Sequence, residues 1–188
     1  MRALTVIGLA LLGLVGHARL EAQSLDEYGV KSAFVYNFLQ FVGWSASKLG
    51  PADALTICVL DEHPIARHLS ASEGRVVREH AIRVRTIGAL QDAAVCHVIF
   101  VGADNAARLP ELNAQHPRGG LLIISEGRAA AQAQVIGLST ENNRIVFDVN
   151  LDVAANQGLT LGSKLLRLAR RVSGAPDTAG LRRQPEGR

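Results

Sequence analysis

The hydrophobic pattern changes character near residue 54. Before it, Val30, Phe34, Phe38 and Phe41 fall at i, i+4, i+8 and i+11, one apolar stripe at helical spacing. That stripe predicts a helix over residues 25–42, with Ser24 or Asp26 as N-cap and Gly43 and Gly50-Pro51 ending the segment. After residue 54 the apolar residues come in short runs. ALTICVL (54–60), AVCHVIFV (94–101) and GLLIIS (120–125) are continuous, as strands buried on both faces require, while AIRVRTI (81–87) alternates like a half-exposed or edge strand. Helices are predicted between them, near residues 64–70 and 105–114. VIGLS (135–139) and RIVFDVN (144–150) flank the turn-rich Thr140-Glu141-Asn142-Asn143, a hairpin pattern. Leu161, Leu165, Leu168 and Val172 predict a last helix over 161–172. Residues 173–188 carry no periodic apolar residues and read as a disordered tail. The expected fold class is α/β, a layered α/β/α arrangement with a mainly parallel central sheet and an antiparallel C-terminal hairpin.

The N-terminus modifies this picture. Met1-Arg2 precedes an uncharged apolar run, Ala3 to Gly16, followed by small residues, the pattern of a secretory signal peptide. The run is shorter than the roughly 18–20 residues of a spanning helix. Residues 1–22 are therefore expected to be a signal peptide, cut after Ala18 or Ala22, leaving one α/β domain over 23–172. Removing Arg2, Arg19 and Glu21 takes the balance from 20 basic and 17 acidic residues to 18 and 16, so the mature chain is nearly neutral. Its basic residues gather at the C-terminus (Lys164, Arg167, Arg170, Arg171, Arg182, Arg183, Arg188), far from the aromatics, which argues against nucleic acid as a partner. The two cysteines, Cys58 and Cys96, are an even count in an exported chain and favour a disulfide over two buried thiols in neighbouring strands.

Few residues suggest chemistry. In parallel sheets, ligands sit at the carboxyl ends of strands. Asp61 and His63 follow the first strand there and Asp104 follows the third, making these three the candidate ligand residues. Acidic groups at those strand ends resemble a phosphoacceptor site, but the lysine such a site needs near a late strand end is missing. The histidines lack metal-ligand spacing, and no nucleophile elbow, zinc-protease, phosphate-loop or dinucleotide motif is present. We expect no catalytic residue, metal or cofactor.

Several segments together resemble the YfiR family, periplasmic proteins that include a repressor of a membrane diguanylate cyclase. They are EYGVKSAFVYNFLQFVGW (27–44), LTICVLDEHP (55–64), CHVIFVG (96–102), LLIIS (121–125) and RIVFDVNLDVAANQGLTLGSKLLRLA (144–169). The resemblance implies a non-enzymatic, often dimeric periplasmic regulator in cyclic-di-GMP signalling. It would bind the periplasmic part of an inner-membrane diguanylate cyclase, and an OmpA-like outer-membrane lipoprotein would relieve the repression. Cys58 and Cys96 match family cysteine positions, which strengthens the disulfide; a second cysteine pair found in some members is absent. Asp148 occupies the acidic position of the family's R-I-x-F-D/E motif and is a candidate partner contact, with helix capping or solvation as the plainer role. Ile136 and Val153 could complete an apolar patch beside it. Tyr36 projects away from the phenylalanine stripe and could face a partner or second subunit. The alternative from a different class is a periplasmic small-molecule sensor or solute-binding module using Asp61, His63 and Asp104.

Overall fold

Residues 15–127 and 132–174 are described by the structure, a computed structural model of the chain, with side chains from residue 27 onward. The continuous apolar runs become strands that are covered on both faces. β2 (Leu55–Leu60) is buried at all six positions and β5 (Val98–Val101) at all four, as β6 (Leu122–Glu126) is except at its last residue. They form the middle of an eight-stranded sheet in the order β10-β8-β7-β6-β5-β2-β4-β3. β4 (His80–Ile87), β2, β5, β6 and β7 (Ile136–Glu141) run parallel to their neighbours in that series. β8 (Arg144–Asn150) returns antiparallel to β7, and the two-residue β3 (Val76–Val77) is antiparallel to β4. The chain is thus mixed α/β with a mostly parallel sheet. Asn142 and Asn143 connect β7 to β8 with φ of 48° and 61°, the left-handed pair that a tight two-residue hairpin requires and that asparagine tolerates.

Helix α1 (Val15–Phe38) lies across the sheet and differs from the expected one at both ends. Its backbone is already helical at Val15, so Ser24 and Asp26 lie within the helix and not at its start. It stops at Phe38, and Val42–Gly43 becomes β1, paired antiparallel with β9 (Thr160–Leu161). The buried stripe is also turned from the expected one. Lys31, Val35, Phe38, Leu39 and Val42 are buried, Phe34 and Phe41 flank them half-buried, and Val30 is exposed. Phe34 and Phe38 meet Phe147 of β8 at centroid distances of 6.2 and 4.9 Å, aromatic contacts that hold the helix to the sheet.

Three further expectations are corrected. Only Val98–Val101 of the 94–101 run is strand, because Leu90–Val95 winds into a 3-10 helix that leaves Val95 exposed. After α2 (Ile65–Ser70), the helix expected near 105–114 is a 3-10 turn (Ala103–Arg108) leading into α3 (Leu109–Gln115). At the C-terminus, α4 (Leu151–Asn156) is followed by α5 (Ser163–Leu168), which is shorter than expected. The chain then extends into β10 (Arg171–Ser173), parallel to β8. The open edge of β8 explains this: Phe147 would otherwise leave its carbonyl unpaired, and Arg170 N–H donates to it at 2.9 Å. Leu165 of the expected stripe is buried, whereas Leu168 and Val172 are exposed. Ser173, expected in the tail, therefore belongs to the sheet; residues 175–188 lie outside the described residues, as does the start of the expected signal peptide, residues 1–14.

Cys58 and Cys96 form a disulfide, with Cα atoms 5.9 Å apart. It joins the centre of β2 to the residue before the loop into β5. Reducing it should cost up to about 4 kcal/mol by the chain-entropy account of a loop this size. Phe38→Ala should cost about 3–5 kcal/mol and Val30→Ala almost nothing. Denaturant midpoints for the oxidised, reduced and two variant proteins check all three; equal losses for Phe38 and Val30 would refute the helix orientation.

Candidate functional site

At the carboxyl ends of the parallel strands, where an α/β sheet offers a ligand site, the chain's own charged residues fill the space above β6. Lys31 enters from α1 and is buried, its ammonium 2.6 Å from Glu126 at the end of β6 and 2.6 Å from Glu27 one helical turn earlier. His63, after β2, meets the other Glu126 oxygen through Nε2 at 3.2 Å. The His63 Nδ1 accepts a hydrogen bond from Ile65 N–H, so Nε2 carries the proton and donates to Glu126. Thr140 of β7 donates to Glu27 at 2.6 Å, and the Tyr28 ring packs edge-on against His63 and beneath Lys31. Gly102 makes room for this arrangement, because a Cβ there would lie 2.6 Å from the His63 ring.

The electrostatics follow from the geometry. Burial alone would raise the Glu126 carboxyl, but hydrogen bonds from His63 and Lys31, with the Lys31 charge, outweigh it and hold it at about 2. Lys31 is pushed above its ordinary value: burial opposes its charge, yet hydrogen bonds to Glu126 and Glu27 prevail. Its hydrogen bonds to Lys31 and Thr140 lower Glu27 in turn. Every charged group is hydrogen-bonded within the cluster, which acts as a lock in which two carboxylates share one ammonium.

The candidate ligand residues are held in different ways. His63 is drawn into the lock, and Asp61, at φ 58°, is engaged by Arg108 at 2.9 Å. Asp104 is exposed in the 3-10 turn. Beside His63, Glu62, Pro64, Ala66, Arg67 and Thr86 line an open cleft of about 450 Å³. Among the described residues no group of three or more His, Cys, Asp or Glu could hold a metal ion, and no helix is long and apolar enough to cross a membrane.

The candidate partner residues also separate. Ile136 is fully buried and Val153 nearly so; both are core, and neither can form a surface patch in this conformation. Asp148 faces Arg170, whose Nε donates to it at 2.9 Å and whose terminal nitrogens reach Asp148 and Glu141. It does not cap α4, since the Asn150 side chain accepts the Val153 N–H at 3.1 Å. Tyr36 lies half-buried beneath the Arg75 guanidinium, 4.1 Å from its centroid. Around the Asp148–Arg170 pair, at the outer edge of the sheet, Leu168 and Val172 stand exposed.

Lys31, Glu27 and Glu126 were not singled out from the sequence. The available signal was a lysine on the apolar stripe, four residues before Val35 and seven before Phe38, with a glutamate ending a buried strand.

The fold is that of a mixed α/β domain with a mostly parallel sheet and exposed apolar residues at its outer edge. The chain belongs to the YfiR/HmsC-like family, which it matches over residues 28–170. No curated protein matches it. Among solved structures, the ABC domain in complex with L-Trp from Streptococcus pneumonia is 10% identical, with a TM-score of 0.44. That match covers 68% of this chain and 58% of the other, too remote a likeness to bear on function.

The lock predicts a pH dependence. A carboxyl whose folded value lies near 2 rather than 4.5 stabilises the fold above about pH 4.5 and loses that contribution as pH falls toward 2. For Glu126 the loss should be about 3 kcal/mol. Glu126→Gln should flatten the unfolding free energy across this window. Lys31→Met should cost about 3–5 kcal/mol at pH 7, because it strands a buried carboxylate, and the double variant should lose less than the two singles combined. Additive losses would show that the two charges do not act as a pair.

Proposed function

We propose that the protein is a non-enzymatic periplasmic regulator that binds the periplasmic part of an inner-membrane diguanylate cyclase and holds it inactive. Membership of the YfiR/HmsC-like family over residues 28–170 carries this reading. In it, residues 1–22 direct export and are removed, residues 23–172 are the working domain, and an OmpA-like outer-membrane lipoprotein relieves repression by sequestering the regulator. The protein works as a homodimer.

The outer edge of the sheet supports a contact surface for the cyclase. Leu168 and Val172 are exposed at 65% and 40%, beside the charged group of Asp148, Arg170 and Glu141. Apolar residues next to fixed charges give an interface its desolvated centre and its orientation. Asp148 serves this surface by holding Arg170, and with it β10, in place. Tyr36 offers a second aromatic contact from α1. The alternative, a periplasmic small-molecule sensor, draws on the open cleft beside His63. Asp61 and Asp104 lie outside its lining.

Deleting the protein should raise cellular cyclic-di-GMP, and restoring it should lower the level. Leu168→Glu should abolish that restoration and weaken capture of the cyclase's periplasmic part by about tenfold or more, with an unchanged melting temperature. Asp148→Asn should weaken both repression and stability, because it loosens Arg170. Cyclic-di-GMP that does not respond to deletion would reject the regulator reading; full activity of Leu168→Glu would move the contact surface elsewhere.

A further inference from the structure

At the edge of the sheet opposite β10, β4 is only half covered. β3 pairs with it at Val76↔Ala81 and Val77↔His80 and goes no further. β4 itself runs on to Ile87, so beyond Ile82 its outer side meets no strand among the described residues. The backbone groups of a strand turn alternately to its two sides. Ile82 N–H donates outward to Arg75 O at 2.8 Å, and Val84 N–H donates outward to a Glu73 carboxylate oxygen at 2.6 Å. By the same alternation Thr86 turns its N–H and C=O to this open side. On the inner side, Ile87 O accepts from Asp61 N–H at 2.8 Å, which agrees with that phase.

The side chains at this edge are also open. Ala81, Arg83 and Arg85 alternate onto one face of β4, and all three are exposed. Val76, which pairs with Ala81, is 62% exposed. Arg85 pairs with Cys58 of β2, and the disulfide partner Cys96 follows Val95, itself 55% exposed. The register therefore strings two exposed valines and two arginines along one face of the edge. Among the described residues neither Arg83 nor Arg85 makes an ion pair. Two positive charges stand about 7 Å apart along the strand, without counter-ions, beside an unpaired stretch of backbone.

We propose that this half of β4 receives an acidic extended segment of a partner protein, added as a strand along Val84–Thr86 with carboxylates at alternate positions paired to Arg83 and Arg85. Alternate residues of an extended segment repeat at the same distance of about 7 Å, so carboxylates at i and i+2 match the two guanidiniums. Main-chain hydrogen bonds give such an added strand its affinity, and the alternate side chains give it specificity. Glu73 now holds the place on Val84 N–H that an incoming carbonyl would take, so the segment displaces it. A second copy of the chain does not fit, because pairing two β4 edges would set arginine against arginine. The surface lies at the far edge of the sheet from Leu168 and Val172, and it does not depend on the regulator reading.

The probe is a synthetic peptide of Glu-Val repeats, titrated into the purified protein. It should bind saturably, less tightly as salt is raised, and should slow hydrogen exchange at the Thr86 amide. Reversing both charges, Arg83→Glu with Arg85→Glu, should weaken binding about tenfold or more and leave the melting temperature unchanged. Glu73→Ala should tighten it, because the competing carboxylate is gone. A peptide of the same composition in Glu-Glu-Val-Val order should bind far more weakly, and a Lys-Val peptide should not bind. No saturable binding at millimolar peptide would overturn the proposal. So would equal affinity in the charge-reversed variant, equal affinity for the reordered peptide, or an unprotected Thr86 amide. Arginine-dependent binding to phosphatidylglycerol vesicles, with none to the peptide, would assign the patch to a lipid surface and overturn it as well.

Discussion

A single buried ammonium fixes how helix α1 sits on the sheet. Lys31 lies on the same face as Val35, Phe38 and Leu39, so burying the apolar stripe buries the charge with it. A buried ion without a counter-ion costs several kcal/mol, which makes the position of Glu126 a condition on the fold. The phenylalanines alone would allow the helix to slide or rotate by a residue with modest loss. The ion pair does not, because any such shift strands Lys31 and Glu126 together. Hydrophobic contact thus supplies much of the attraction and the lock supplies the register. The same register carries β1 and Trp44 to the opposite end of the sheet, where the indole N–H donates to Gly120 O at 2.7 Å.

This division of labour bears on where function can reside. Open α/β sheets leave a crevice at their strand carboxyl ends, and many folds use it for ligands. Here Lys31, Glu126, His63 and Glu27 occupy it and satisfy one another. What stays open is the outer edge of the sheet and the cleft beside His63. The exposed Leu168 and Val172 lie at the first, and Glu62, Pro64 and Arg67 line the second.

Much of the architecture was legible in the sequence because buried parallel strands announce themselves as unbroken apolar runs. RIVFDVN became β8 over Arg144–Asn150, and LTICVL became β2 over Leu55–Leu60. The family resemblance could likewise be read from segments spread through the chain. What escaped depended on partners distant in sequence. β1, β3, β9 and β10 have two or three residues each and exist only because another strand's edge needs them. The α1 stripe was misplaced by one residue because the aromatics Phe34 and Phe41 outweigh Val35 and Leu39 to the eye, although they only flank the buried face. The candidate sites fared worst. Ile136 and Val153 are ordinary core residues, and a lysine in an apolar stripe reads as solvated until its carboxylate is found 95 residues away.

The small β1–β9 ladder joins Val42 and Gly43 to Leu161 and Thr160. Helix α1 leads directly into the first of these strands, so its final seat is defined by residues from near the end of the described chain. During synthesis, which presents the N-terminus first, α1 emerges before the strands it packs against. Lys31 then waits 95 residues for Glu126, and Phe34 and Phe38 wait for Phe147. Contacts this distant in sequence make folding slow, since loop closure precedes any gain from them. The earliest segment of the domain is therefore among the last to settle, and the nascent chain has a long interval in which an apolar helix is available to chaperones.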